Sequence, residues 1–66
     1  MSNDGLSNMN LRFGEEIIIV DEKGEKYEGD YRGLYDPEKG TFVFYNYSSR
    51  RKELVILAQV QKVEKA

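Results

Sequence analysis

The chain contains no cysteine and no histidine. Disulfides are excluded, and so are a classical zinc site and a Cys or His nucleophile. No apolar run approaches the roughly 20 residues of a membrane-spanning helix. The longest are Ile17-Ile18-Ile19-Val20 and Leu54-Val55-Ile56-Leu57-Ala58. No basic region followed by an apolar stretch opens the sequence, so no signal peptide is expected, and a soluble, cytoplasmic protein is the default. A nucleophile elbow, a phosphate-binding glycine loop and a metal motif are also missing. Neighbouring acids such as Glu15 and Glu16 point to opposite faces of a strand rather than forming a catalytic pair. Neither an enzyme nor a cofactor is expected.

What is present fits one small domain. A chain of 66 residues buries only roughly 60% of the surface that it exposes when unfolded, so its core is a thin layer. Without disulfides or metal, it relies on that core or on association with copies of itself. The net charge is −2, unevenly spread: residues 15–38 carry nine acids against Lys23, Lys26 and Arg32, and residues 39–66 carry six bases against Glu53 and Glu64. A uniformly basic coat for nucleic acid is excluded by the total. A local basic patch is not, because screening confines each field to about 8–10 Å.

Residues 1–10, rich in Ser, Asn and Gly, read as a flexible arm preceding a domain over 11–66. Strand signals then follow at close spacing. "EIIIVDE" is β-branched, and Gly24 suits the turn after it. "KYEGDYRGLYD" alternates, with Gly29 and Gly33 marking bends. Pro37 and Gly40 make "DPEKG" a turn. "TFVFYNY" is the third strand, with Phe42 and Phe44 toward the core and Tyr45 and Tyr47 outward. In "ELVILAQVQKVE" the alternation slips near Ala58 and Gln59, which divides it into two strands around a short turn. Tyr27 and Tyr31 are expected on the inner face. The fold class is all-β: a small, five-stranded, strongly bent antiparallel barrel.

The order Ile17, Ile19, Gly24, Tyr27, Gly29, Tyr31 and Asp36, with Val55, Val60 and Val63 near the end, resembles the Sm/Lsm family of SH3-like barrels over residues 14–64. The resemblance implies an Sm-like barrel, assembly into rings through edge strands, and RNA as a ligand. Two family features are absent. No asparagine follows Asp36 in Pro37-Glu38-Lys39-Gly40, and Ile56 and Leu57 stand where the family carries Arg-Gly. The family's uridine pocket is therefore not implied.

The candidate nucleic-acid site is a basic loop, Arg50, Arg51 and Lys52, holding phosphate, with Tyr45 and Tyr47 as stacking rings. Tyr35 and Asp36 stand where an Sm-like pocket would open. The plainer alternative is a solvated turn offsetting the acidic strands. In "LVILA" both faces want burial, which favours pairing with a neighbouring subunit, the acidic early strands meeting the basic later ones head to tail. Two functions follow: a binding module for RNA or single-stranded nucleic acid, or a protein-interaction and assembly module without such a ligand. The basic loop and the family resemblance favour the first, which is the leading expectation, and the sequence pI of about 5.0 favours the second.

Overall fold

The computed structural model describes residues 11–66. The arm expected over residues 1–10 lies outside the described residues. Five strands form one antiparallel sheet: β1 (Glu16–Asp21), β2 (Lys26–Tyr31), β3 (Thr41–Asn46), β4 (Arg51–Ile56) and β5 (Val60–Lys65). Their order across the sheet is β4-β3-β2-β1-β5, so the last strand returns beside the first. The sheet is not closed, and β4 and β5 are its two edges. Among the described residues no helix is long and apolar enough to cross a membrane.

The strands form where β-branched and aromatic residues alternate, and turns with special backbone requirements separate them. The β1–β2 turn is closed by Gly24, whose φ is +87°. Its amide donates to the Asp21 carbonyl at 3.0 Å, while the Asp21 carboxylate accepts the amides of Lys23 and Glu25 at 2.9 Å. A single 3-10 turn, Leu57–Gln59, separates β4 from β5 where the alternation slips. β2 is shorter than its alternating pattern: regular pairing stops at Tyr31, and the chain turns at Gly33 and Leu34, both at positive φ. It touches the sheet again at a bridge between Asp36 and Thr41.

The core lies on one face. Ile17, Ile19, Phe42, Phe44 and Val55 form a buried cluster, with Tyr27, Tyr31, Tyr35, Val60 and Val63 partly buried against it. Directly paired residues of neighbouring strands share a face. The pairs Ile19 with Tyr27, Tyr31 with Phe44, and Phe42 with Val55 therefore stack across the inner side. The Tyr31 and Phe42 rings lie 5.4 Å apart and tilted, a favourable arrangement for their quadrupoles. The same rule gathers a different set outside: Glu16, Asp30, Tyr45 and Lys52 form one row across β1, β2, β3 and β4.

Candidate binding surface

That outer row holds two of the expected site residues, Tyr45 and Lys52, and a third, Tyr47, adjoins it. Tyr45 stands between Asp30 and Lys52, and Tyr47, in the turn after β3, meets it edge-on with ring centroids 6.1 Å apart. One face of the Tyr45 ring is already taken, however. The Arg32 guanidinium carbon sits 4.8 Å from its ring centroid, a cation–π contact. Arg32 is held there by Asp30: its Nε donates to Asp30 Oδ1, and its Nη2 donates to Oδ2 at 3.4 Å. Asp30 and Arg32 are two apart, so a strand puts them on one side. Tyr47 is the more open ring, its hydroxyl 3.5 Å from Glu16 Oε2.

The basic triplet does not converge. Arg50 sits in the β3–β4 turn with φ +58°, its amide donating to the Asn46 carbonyl at 2.7 Å. Arg51 and Lys52 are successive strand residues and take opposite faces. Lys52 is opposite Tyr45 on the outer side, and Arg51 is opposite Asn46 on the inner side. Tyr35 packs partly buried against the core. Asp36 is occupied by its own turn. Its carboxylate accepts the amides of Glu38 at 3.0 Å and Lys39 at 3.3 Å, and its carbonyl accepts that of Gly40 at 2.7 Å.

Asp30 and Arg32 were not among the expected site residues, although their spacing of two was a readable signal.

The Asp30–Arg32 pair has a pH signature. The Arg32 guanidinium holds the Asp30 carboxyl below its ordinary value of 3.8, against a smaller opposing effect of burial. The unfolded chain therefore binds this proton more readily than the folded one. The pair's contribution is complete above the ordinary aspartate range and is lost as pH falls through the depressed folded value. Asp30→Asn is expected to lower the thermal midpoint at pH 7. The wild-type and variant curves should converge as the solution is acidified past 3.8. Circular dichroism melts across that range provide the measurement, and a constant gap down to the acid end would remove the assignment.

On the opposite side, the core face opens into a groove of about 620 Å³ that includes Ile19, Tyr27, Phe44, Asn46, Glu53, Val55 and Val60. Two of its titratable groups, Tyr27 and Asp21, are shifted away from neutrality. Hydrogen bonding to Glu25 raises the Tyr27 phenol to about 12, and backbone amides lower the Asp21 carboxyl. Glu53 is engaged by Ser49 Oγ at 3.1 Å and Asn46 Nδ2 at 3.5 Å. Among the described residues no group of three or more Asp and Glu is placed to hold a metal ion.

No protein-family model, no curated protein and no solved structure matches the chain.

Proposed function

We propose that this protein is a non-enzymatic protein-interaction module that assembles with copies of itself through the edges of its sheet. The observation that carries this reading is the state of β4. It is an edge strand whose apolar second half is only partly covered: Val55 is buried, while Leu54 is 63% exposed. A groove also opens on the core face beside it. An edge strand with unpaired backbone groups invites a further strand, and a core of five buried side chains benefits from such a partner. The strand order, with β5 returned beside β1 after one 3-10 turn, supports an SH3-like barrel of the Sm kind.

The charge arrangement changes how the copies would meet. The acidic strands β1 and β2 are interior, so edge pairing sets β4 against β5. Both edges carry more cations than anions: Arg51 and Lys52 against Glu53, and Lys62 and Lys65 against Glu64. Association is therefore driven by main-chain pairing and apolar burial, and salt should strengthen it by screening like charges.

A second reading, binding of single-stranded RNA, is favoured by the exposed Tyr47 ring and the turn cation Arg50. Weighing against it, one face of the Tyr45 ring is taken by Arg32, Arg51 faces away, and Glu16, Glu28 and Asp30 share the outer side. Titration of labelled single-stranded RNA at low salt separates the readings. The interaction module predicts no saturable binding. Affinity that falls steeply with salt, and is lost in Arg50→Glu/Arg51→Glu, would establish the second reading in its place.

A further inference from the structure

Phe13, Leu34 and Leu54 are 72%, 80% and 63% exposed, and all three line one groove of about 360 Å³ on the outer side. Val43, the cross-strand partner of Leu54, lines it with them, together with Arg32, Lys52 and Glu53. Single exposed apolar residues are ordinary. Three gathered on one groove of so small a domain form a patch of the kind that marks an interaction site.

Leu34 adds an independent observation. Its φ is +58°, directly after Gly33 at +82°. The left-handed region is unfavourable for a residue with a Cβ, and leucine has no side-chain polar group to compensate. Leu34 gains no burial in return, since it is the most exposed large apolar side chain among the described residues. Gly33 has a backbone reason to be glycine in its positive φ, and the Phe13 ring lies beside it: an added Cβ would be in ordinary contact with Phe13 Cδ2, at 3.4 Å. The chain thus holds a strained conformation that presents a leucine to solvent beside an aromatic ring. Strain of this sort concentrates at ligand-contacting segments.

The charges around the groove give its occupant a sign. Its lining has two cations, Arg32 and Lys52, against one carboxylate, Glu53. Arg32 is fixed in place by Asp30. Lys52 has no ion pair among the described residues.

We propose that this groove docks a segment of a protein partner in which a carboxylate stands beside apolar side chains. The apolar groups bury against Phe13, Leu34 and Leu54, and the carboxylate meets Lys52 and the open side of Arg32. The inference goes beyond self-assembly and does not depend on it: the groove shares Lys52, Glu53 and Leu54 with the β4 edge, but Phe13, Arg32 and Leu34 lie outside β4 and β5.

The probe is a short synthetic peptide alternating aspartate with leucine, titrated to near-millimolar concentration into the isotope-labelled full chain. Saturable NMR shifts are expected at the amides of Gly33, Leu34, Val43 and Leu54. The same peptide with lysine in place of aspartate, or serine in place of leucine, should produce none. Leu34→Asn should weaken binding about tenfold or more, the worth of burying one such side chain. Its thermal midpoint should stay level or rise, because asparagine tolerates the left-handed region. Lys52→Glu should also lose the peptide while remaining folded. The sedimentation of Leu34→Asn should match that of the wild type, which separates this site from assembly. The proposal is overturned by no saturable shift with the acidic peptide, by equal binding of the lysine peptide, by unchanged affinity in both variants, or by single-stranded RNA saturating the same amides.

Discussion

Gly29→Ala is expected to leave the chain largely unfolded at room temperature. Gly29 lies in the middle of β2, opposite Ile17 on one side and Asn46 on the other. A Cβ at this position would overlap the carbonyl oxygen of Tyr45 and stand 2.6 Å from two ring carbons of Phe44. Neither neighbour can yield easily. The oxygen belongs to the backbone of β3, and the ring is part of the buried cluster. Relief requires β2 and β3 to separate, and only three residue pairs join them: Gly29 with Asn46, Asp30 with Tyr45, and Tyr31 with Phe44. Overlap of this kind belongs to the tail of substitutions costing about 4 kcal/mol or more. A chain of this length has about 3–10 kcal/mol in total. Gly14→Ala is the control. Its φ is +86° but an added Cβ meets nothing within 4 Å, so its cost should be about 1–2 kcal/mol. Urea denaturation followed by far-ultraviolet circular dichroism distinguishes them. A Gly29→Ala chain with a cooperative transition near that of wild type would contradict the register of β2 against β3.

Phe42→Ala carries the second-largest effect. Phe42 is fully buried, opposite Val55 and against the ring of Tyr31. Truncation removes the transfer energy of the ring and leaves a cavity that a thin core fills poorly, a cost of about 3–5 kcal/mol. Most of the domain's stability would go. Leu54→Ala, on the outward parity of β4, should change stability by about 0.5 kcal/mol or less. Both substitutions remove an apolar side chain, so the contrast reads the parity of β3 and β4 directly. Equal losses would mean that the two faces have been assigned the wrong way round.

Much of the architecture was legible because it rests on local rules. The Phe42–Phe44 and Tyr45–Tyr47 parities are set by a period of two, and the structure has them on the expected sides. The slip between Ala58 and Gln59 fell at a real break, the Leu57–Gln59 turn, because a 3-10 turn spends residues without keeping strand alternation. Gly29, expected to mark a bend, lies in regular pairing with β1 and β3, and the backbone of β3 pressed against it was not readable, since sequence separation hides that approach. The alternation of "KYEGDYRGLYD" overstated β2. Two successive positive φ angles at Gly33 and Leu34 end the strand, and a leucine there carries no turn signal.

The candidate site was less legible for a related reason. Arg50, Arg51 and Lys52 look like one cluster in the sequence, but a turn followed by a strand sends them in different directions. Arg32 and Tyr45 lie far apart in the chain and meet only through the β2–β3 pairing. Asp36 had the composition of a pocket residue and instead serves its own turn. Phe13, Leu34 and Leu54 come from three separate segments, and only the folded sheet brings them to one groove.

The most direct test of assembly through the sheet edges is sedimentation equilibrium of the wild-type chain from micromolar to near-millimolar concentration, at low and high salt. Self-association through β4 and β5 predicts masses above the 7.7 kDa of one chain. It also predicts that their share is maintained or increased by salt, because the paired edges carry charge of the same sign. A mass of one chain across the whole range, at both salt concentrations, would contradict it.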